Sequence, residues 1–200
     1  HWTDGGLLDL VAIAATLTFL VLIVGPSQRQ SAELLHKVRA LARQLGLTLK
    51  SDGINRHAAV LRSGRIVALP ASAGTIRGFT RVTLLVIDEA AMVRDEIYDA
   101  VRPMLTQNEG AIWLLSTPNG PHGFFHREWA LGEEDWDRTA ARADESPRFT
   151  PRQLAAERAS LGDRRFNQEF LCQFVTLDGA LFDAGWLENL FVSQEPIQLP

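Results

Sequence analysis

The 200-residue chain has one cysteine, Cys172, and only two lysines, Lys37 and Lys50. A single cysteine excludes an internal disulfide and agrees with a reducing compartment. Neither lysine follows a glycine in the pattern G-x-x-x-x-G-K-[ST]. The sequence therefore contains no lysine loop of the kind that cradles nucleotide phosphates.

Positive charge is scarce as well. The chain has 20 basic and 24 acidic residues, which gives a net charge of −4. A protein that coats DNA without regard to its sequence is normally basic, so any DNA contact must be local or lie outside this chain. The histidines show no metal-ligand spacing with cysteines or acids, which argues against a zinc site.

The longest apolar run, residues 10–24, is about five residues shorter than a typical membrane span. Asp9 interrupts it, and no basic flank precedes it. We therefore expect a buried helix over residues 7–17 that leads into a buried strand, with no membrane segment.

The rest of the chain alternates between strand and helix patterns. Apolar runs predict buried strands at 19–24, 82–87 and 111–115, and a hairpin at 58–61 and 66–69. Helical spacing predicts helices at 27–45, which begins with a capping box of Ser27 and Gln30, and at 95–105 and 123–131. This order predicts an α/β fold with a mostly parallel sheet and helices on both faces.

The last third has a different character. Thr150 and Asp163 are predicted to cap two helices that reach Leu161 and Phe174, with charges of both signs along them. We therefore expect an ATPase-like core over 1–145, a small helical subdomain over 146–176 and a linker over 177–200. In the linker, Asp178 and Asp183 are expected to be solvated turn residues.

Two carboxylates, Asp88 and Glu89, follow the buried strand that ends in LLVI. In nucleotide-hydrolysing motors the first acid at such a strand end holds Mg²⁺, and the second polarises the attacking water. Neighbouring residues at a strand end point in different directions, so each can serve one role. A solvated acidic turn would produce the same pattern, so this motif is only moderately specific.

The next strand ends in Ser116, Thr117 and Pro118. Small hydroxyl residues beside a carboxylate strand can hydrogen-bond a γ-phosphate or its attacking water, and loss of that phosphate can shift the loop. A polar turn that only ends the strand is the alternative. Since ligands of parallel sheets bind at the carboxyl ends of the strands, the two tips are expected to meet.

Residues 75–129, from TIRGFTRVTLLVIDEAA through LLSTPNGPHGFFHREW, resemble the large terminase subunits of tailed phages. The segments GPSQRQSAELLHKV and RFNQEFLCQFVTLDGALF resemble the same family, so the likeness spans about residues 25–182. It implies a P-loop NTPase-like fold of the RecA type and assigns roles to individual residues. Asp88 matches the magnesium-binding Walker B aspartate and Glu89 the catalytic glutamate. Ser116, Thr117 and Pro118 match the motif that couples hydrolysis to subdomain movement.

Arg77 matches an arginine of the family that acts in trans on the nucleotide of a neighbouring subunit. A guanidinium is always charged and can fork onto phosphate oxygens, although a surface arginine beside the Gly78 turn is the simpler alternative. Gln28, Arg29 and Gln30 follow a strand end, where they could contact nucleotide or DNA. For Gln30, capping of the helix is the better interpretation.

The resemblance implies that the complete protein uses ATP and Mg²⁺ to move double-stranded DNA. It further implies a homo-oligomeric ring that works with a portal protein and a small terminase subunit in the host bacterial cytoplasm. A separate nuclease domain would follow the linker.

One part of the family's pattern is missing. The phosphate loop should end near residues 4–8, where Leu7 and Leu8 stand in place of the lysine and the Ser or Thr. Either the N-terminus is truncated or altered, or this is a decayed copy. In both cases we expect this chain to hydrolyse ATP very poorly.

Three alternatives stay open. A DExx-type helicase or NTPase fragment would need a second RecA-like domain with an arginine motif. A decayed terminase would act only as an interaction module. A metal-dependent nuclease would use Asp88, Glu89, Asp95 and Glu96, but acids are favoured at the start of a helix in any case.

Overall fold

The buried strand after the first apolar run, β1 (Phe19–Gly25), forms as predicted and lies inside the sheet. The computed structural model describes residues 19–51, 57–61, 64–76, 78–106, 109–132 and 134–176. The predicted helix over 7–17, Arg77 and the predicted linker lie outside these ranges. Within them, no helix is long and apolar enough to cross a membrane.

The described strands form one six-stranded sheet with the order β2-β3-β4-β1-β5-β6. Strands β4, β1, β5 and β6 are parallel, and β2, β3 and β4 are antiparallel, which confirms the predicted hairpin. The strand bounds are β2 (Lys50–Ser51), β3 (Ala58–Leu61), β4 (Gly64–Pro70), β5 (Leu84–Asp88) and β6 (Ala111–Leu115).

The first helix, α1 (Gln28–Gln44), begins and ends as its sequence predicts. Ser27 Oγ accepts a hydrogen bond from Gln30 N at 3.3 Å and lies 2.7 Å from Gln30 Oε1, so Gln30 serves capping. At the other end Gly46 takes φ 73°, and Leu47 N donates to Ala42 O at 2.8 Å. This left-handed glycine cap satisfies the last carbonyls of the helix.

One face of the sheet carries α1, which packs over β4, β1 and β3. The core on this α1 face joins Leu35 to alternate residues of three strands: Ile23, Ala68 and Val86. The opposite face is buried too, through Leu22, Val24, Val67, Leu85 and Ile87. Burial on both faces explains why these strands are continuous apolar runs.

The predicted helix over 95–105 is wrong as a single element. It divides into α3 (Asp95–Val101) and the short α4 (Pro103–Thr106). Pro103 has no N–H to donate, so the chain re-registers after Arg102, and Leu105 N donates to Arg102 O at 3.2 Å. A four-residue α2 (Ala73–Ile76) precedes β5, and α5 (Gly123–Ala130) confirms the helix predicted after β6.

The strand β6 is not buried as predicted. It forms the edge of the described sheet, and its residues alternate between partial and full exposure. Trp113 is 58% exposed and Leu115 is 45% exposed, both on the α1 face. The reason is that α1 covers the strands on the other side of β1.

The described chain divides into two compact units. The first comprises the described residues up to Thr117 and of Gly123–Glu133, and the second those of Pro118–His122 and from Glu134 onward. In the second unit α6 (Pro151–Leu171) starts with the predicted Thr150 capping box. Two separate helices were expected, with a cap at Asp163; instead one helix is interrupted at Gly162, with φ 77° and ψ 158°, and ends before Phe174.

Candidate functional site

The candidate site lies where β5 and β6 end. The two strands run parallel, with Asp88 paired to Leu115, so Glu89 and Ser116 leave the sheet side by side. Ala91 N donates a hydrogen bond of 3.2 Å to Ser116 Oγ, and the same hydroxyl donates to Thr117 O at 2.7 Å. The acidic tip and the hydroxyl tip are therefore joined directly.

Asp88 is half-buried at the end of β5. Within the described parts of the chain, its carboxylate has no hydrogen-bond or ion-pair partner. Carboxylate oxygens in a partly buried position are suitable ligands for Mg²⁺. The position of Asp88 is thus compatible with its predicted role as a metal ligand.

Glu89 has a left-handed backbone, with φ 52° and ψ 45°, directly before the 3-10 turn Ala90–Met92. A non-glycine residue in this region carries strain, and such residues cluster at functional sites. The conformation breaks the strand geometry between Asp88 and Glu89, so the two side chains leave the backbone in different directions. The sequence carries no signal for this turn.

The hydroxyl of Ser116 is already engaged by the protein. It accepts from Ala91 N and donates to a carbonyl, which makes it a link between the two tips. Thr117 is the last residue of the first unit at this point, and Pro118 begins the second. The predicted coupling motif therefore spans the place where the chain passes from one unit to the other.

The substitution Ser116→Ala removes this link. We expect the free energy of unfolding to fall by about 1 kcal/mol, because Ala91 N loses its acceptor. Amide hydrogen exchange at Ala91 should accelerate, while Ser116→Thr, which keeps a hydroxyl, should restore the protection. Unchanged exchange at Ala91 in Ser116→Ala would show that the two tips are not held together by this bond.

A carboxylate that the sequence did not assign to any contact, Asp95, joins α3 to the helix after the hydroxyl tip. Its Oδ1 accepts from Phe124 N at 2.9 Å, and its Oδ2 accepts from Arg127 Nη1 at 3.2 Å. Asp95 thus caps the first turn of α5, which has no local Ser, Thr, Asp or Asn cap. This use of Asp95 disfavours the nuclease alternative.

A buried contact reinforces the link between α3 and α5. The Tyr98 and Phe124 rings stack with centroids 4.3 Å apart and planes 5° from parallel, and each side chain is 1% exposed. Beside them, Glu128 is buried and its carboxylate lies 3.8 Å from Arg102 Nη1. The segments that follow the two strand tips are therefore fixed to each other.

Burial raises the pKa of Tyr98 from 10.0 to about 12, and the Glu128 carboxylate adds to the increase. The folded state keeps the proton after the unfolded state has lost it. Its stabilisation is complete below pH 10 and is lost as the pH rises through 12. We expect the free energy of unfolding to fall by on the order of 2 to 3 kcal/mol across this window.

Tyr98 is the only tyrosine, so ultraviolet absorbance of tyrosinate reports its titration alone. The control for stability is Tyr98→Phe, in which the decrease between pH 10 and 12 should be smaller than in the parent chain. A Tyr98 titration near its ordinary pKa in the folded chain would contradict the burial.

Other predicted residues have simpler positions. Gln28 Nε2 donates to Ala68 O at 3.3 Å, and Arg29 is exposed. Arg77 lies outside the described residues, so its role in trans stays a prediction. Within the described ranges, no group of three His, Cys, Asp or Glu side chains could hold a metal ion. Mg²⁺ often takes one or two protein carboxylates and completes its shell with phosphates and water.

Comparison with known proteins first defines the class of the fold. No protein-family model and no curated protein sequence matches the chain. Among solved structures, the chain is similar to ATPase domains with a mostly parallel sheet of the P-loop type.

These ATPase domains belong to phage large terminases. The large terminase ATPase domain of Thermus phage P74-26 matches with a TM-score of 0.58 and 19% identity, over 84% of this chain and 81% of that one. The complete large terminase of another thermophilic bacteriophage matches with a TM-score of 0.70 and 12% identity, over 88% of this chain and 47% of that one. The complex of this second terminase with ADP matches at 0.67 and 12%, over 79% and 41%. At these identities the likeness shows the fold, and the chain spans about half of the second terminase.

Proposed function

We propose that this chain is the ATPase-domain portion of a phage large terminase, which powers ATP-driven translocation of DNA into the procapsid. The observation that carries the proposal is the bond from Ala91 N to Ser116 Oγ, which joins the hydroxyl tip to the turn after Asp88 and Glu89. The terminase fold supports it, as does the ADP complex of the similar terminase from a thermophilic bacteriophage.

In the complete protein, Asp88 would hold the magnesium that neutralises the nucleotide phosphates. Glu89 would orient the attacking water and accept its proton. Ser116 fixes the turn that carries Glu89, and Thr117 and Pro118 would transmit the loss of the γ-phosphate to the second unit. Arg77 would act on the nucleotide of a neighbouring subunit in a ring.

The partners in this proposal are double-stranded DNA, a portal protein and a small terminase subunit, and the place of action is the host bacterial cytoplasm. With a net charge of −4, this chain lacks the general positive charge of a DNA coat. DNA binding would therefore depend on a local contact or on other parts of the complete protein.

A lysine phosphate loop is what this sequence lacks, so the 200-residue chain should show no ATP turnover above background. The test is to determine the coding sequence upstream of His1. If an in-frame G-x-x-x-x-G-K-[ST] is found, the extended chain should hydrolyse ATP in the presence of Mg²⁺. Robust turnover by the 200-residue chain itself would contradict this prediction.

The second candidate is a decayed terminase that acts only as an interaction module, which the residues Leu7 and Leu8 favour. It predicts no upstream loop, and no change in melting temperature on adding Mg²⁺ and nucleotide to the extended chain. A shift of the melting temperature that requires both Mg²⁺ and nucleotide would exclude it.

A further inference from the structure

The α1 face of the sheet is open over β5 and β6. Parallel register places Ala111 beside Leu84 and Trp113 beside Val86, so Trp113 and Leu115 project from the α1 face. Both are exposed although the face is apolar, because α1 packs over β4, β1 and β3. Among the described residues, an apolar strip about two strands wide is left without a helix.

One flank of α1 borders this strip. Leu34, Leu41 and Leu45 are spaced by seven and four residues, so they share one flank of the helix. On the other flank, Arg39 Nη2 donates to Ala58 O of β3 at 2.7 Å, so the leucine flank turns toward β5 and β6. Leu41 is 56% exposed and Leu45 is 68% exposed.

These residues form an apolar trough, defined by a wall of Leu34, Leu41 and Leu45 and a floor of Leu84, Val86, Trp113 and Leu115. Two strands occupy about 10 Å, which is close to the diameter of one α-helix with its side chains. The trough is therefore as wide as a single helix, and none of its seven residues is charged.

We propose that residues 7–17 of the same chain occupy the trough as a helix. Asp9 and Thr16, the polar residues of this segment, are seven residues apart and would share the solvent side. Leu7, Leu10, Val11 and Ala14 would share the opposite side. Eleven helical residues extend about 16 Å, which matches the length of about 17 Å expected for a five-residue strand such as β6.

Chain connectivity favours this occupant over a second molecule. Only Thr18 separates the segment from Phe19, the first residue of β1, and β1 pairs directly with β5. A helix there would be tethered one strand away from the trough. The rest of the α1 face is covered by α1, and the opposite face is already buried.

The test is a double-mutant cycle in the full chain, followed by thermal unfolding. Leu115→Ala and Leu10→Ala should each lower the melting temperature by roughly 5 to 15 °C, since each would open a cavity. Because the two side chains share one contact, the double variant should lose clearly less than the sum of the two decreases. The matched control is Leu131→Ala, whose side chain is 78% exposed and which should change the melting temperature by no more than about 2 °C.

Two results would overturn the proposal. One is that Leu115→Ala behaves like Leu131→Ala, which means that the trough is open to solvent. The other is strict additivity together with a sedimentation coefficient that rises with protein concentration, which assigns the trough to a second copy of the chain. Activity is not measured in this experiment, so its outcome is independent of the proposed ATPase.

Discussion

The substitution Glu89→Gln is expected to lower ATP turnover by about 10²- to 10⁴-fold in a chain extended by a functional phosphate loop. Glutamine keeps the size and the left-handed backbone position of Glu89 but cannot accept the proton of the attacking water. Since the side chain acts on water rather than on the nucleotide, binding of nucleotide with Mg²⁺ should be largely retained.

Steady-state ATP hydrolysis and nucleotide-dependent melting measure the two effects separately. Asp88→Asn, which weakens the metal ligand, should reduce both hydrolysis and the Mg²⁺-dependent part of nucleotide binding. The matched control is Glu157→Gln on the exposed side of α6, which should leave both unchanged. If Glu89→Gln hydrolyses ATP at the parent rate, Glu89 is not the catalytic base, and the assignment made from its position after β5 is wrong.

The location of this site followed from the sequence because its physical basis is local. Strand β5 is buried on both faces, so it is a continuous apolar run, and the chain must place Asp88 and Glu89 where that run ends. The same holds for Ser116 at the end of β6. Parallel pairing of adjacent strands then brings the two ends together, as the register of Asp88 with Leu115 shows.

Other features depended on residues distant in the sequence and could not be predicted. An apolar run does not reveal whether a neighbouring element covers it, so the exposed side of β6 was missed. Asp95 follows the pattern of an acid in the first turn of its own helix, yet its carboxylate caps a helix that begins 28 residues later, at Gly123. The left-handed turn at Glu89 is held by the hydroxyl tip of the next strand, which no local pattern encodes.

The largest effect on stability is expected for Phe124→Ala, which should lower the free energy of unfolding by about 3 to 5 kcal/mol. The side chain is 1% exposed and stacks on Tyr98, so its removal leaves a cavity and an unpaired ring. Chemical denaturation monitored by circular dichroism measures the loss. Phe149→Ala is the control, because that ring is 40% exposed and its truncation should cost less than about 1.5 kcal/mol.

The consequence for function follows from where Phe124 lies. It is the second residue of α5, and Asp95 and Tyr98 hold that turn against α3, shortly after the Ser116–Pro118 segment. If the contact anchors the segments that follow the two strand tips, Phe124→Ala should also raise amide exchange at Ala91 under native conditions. Strong destabilisation with unchanged exchange at Ala91 would mean that Phe124 stabilises the core without holding the site in place.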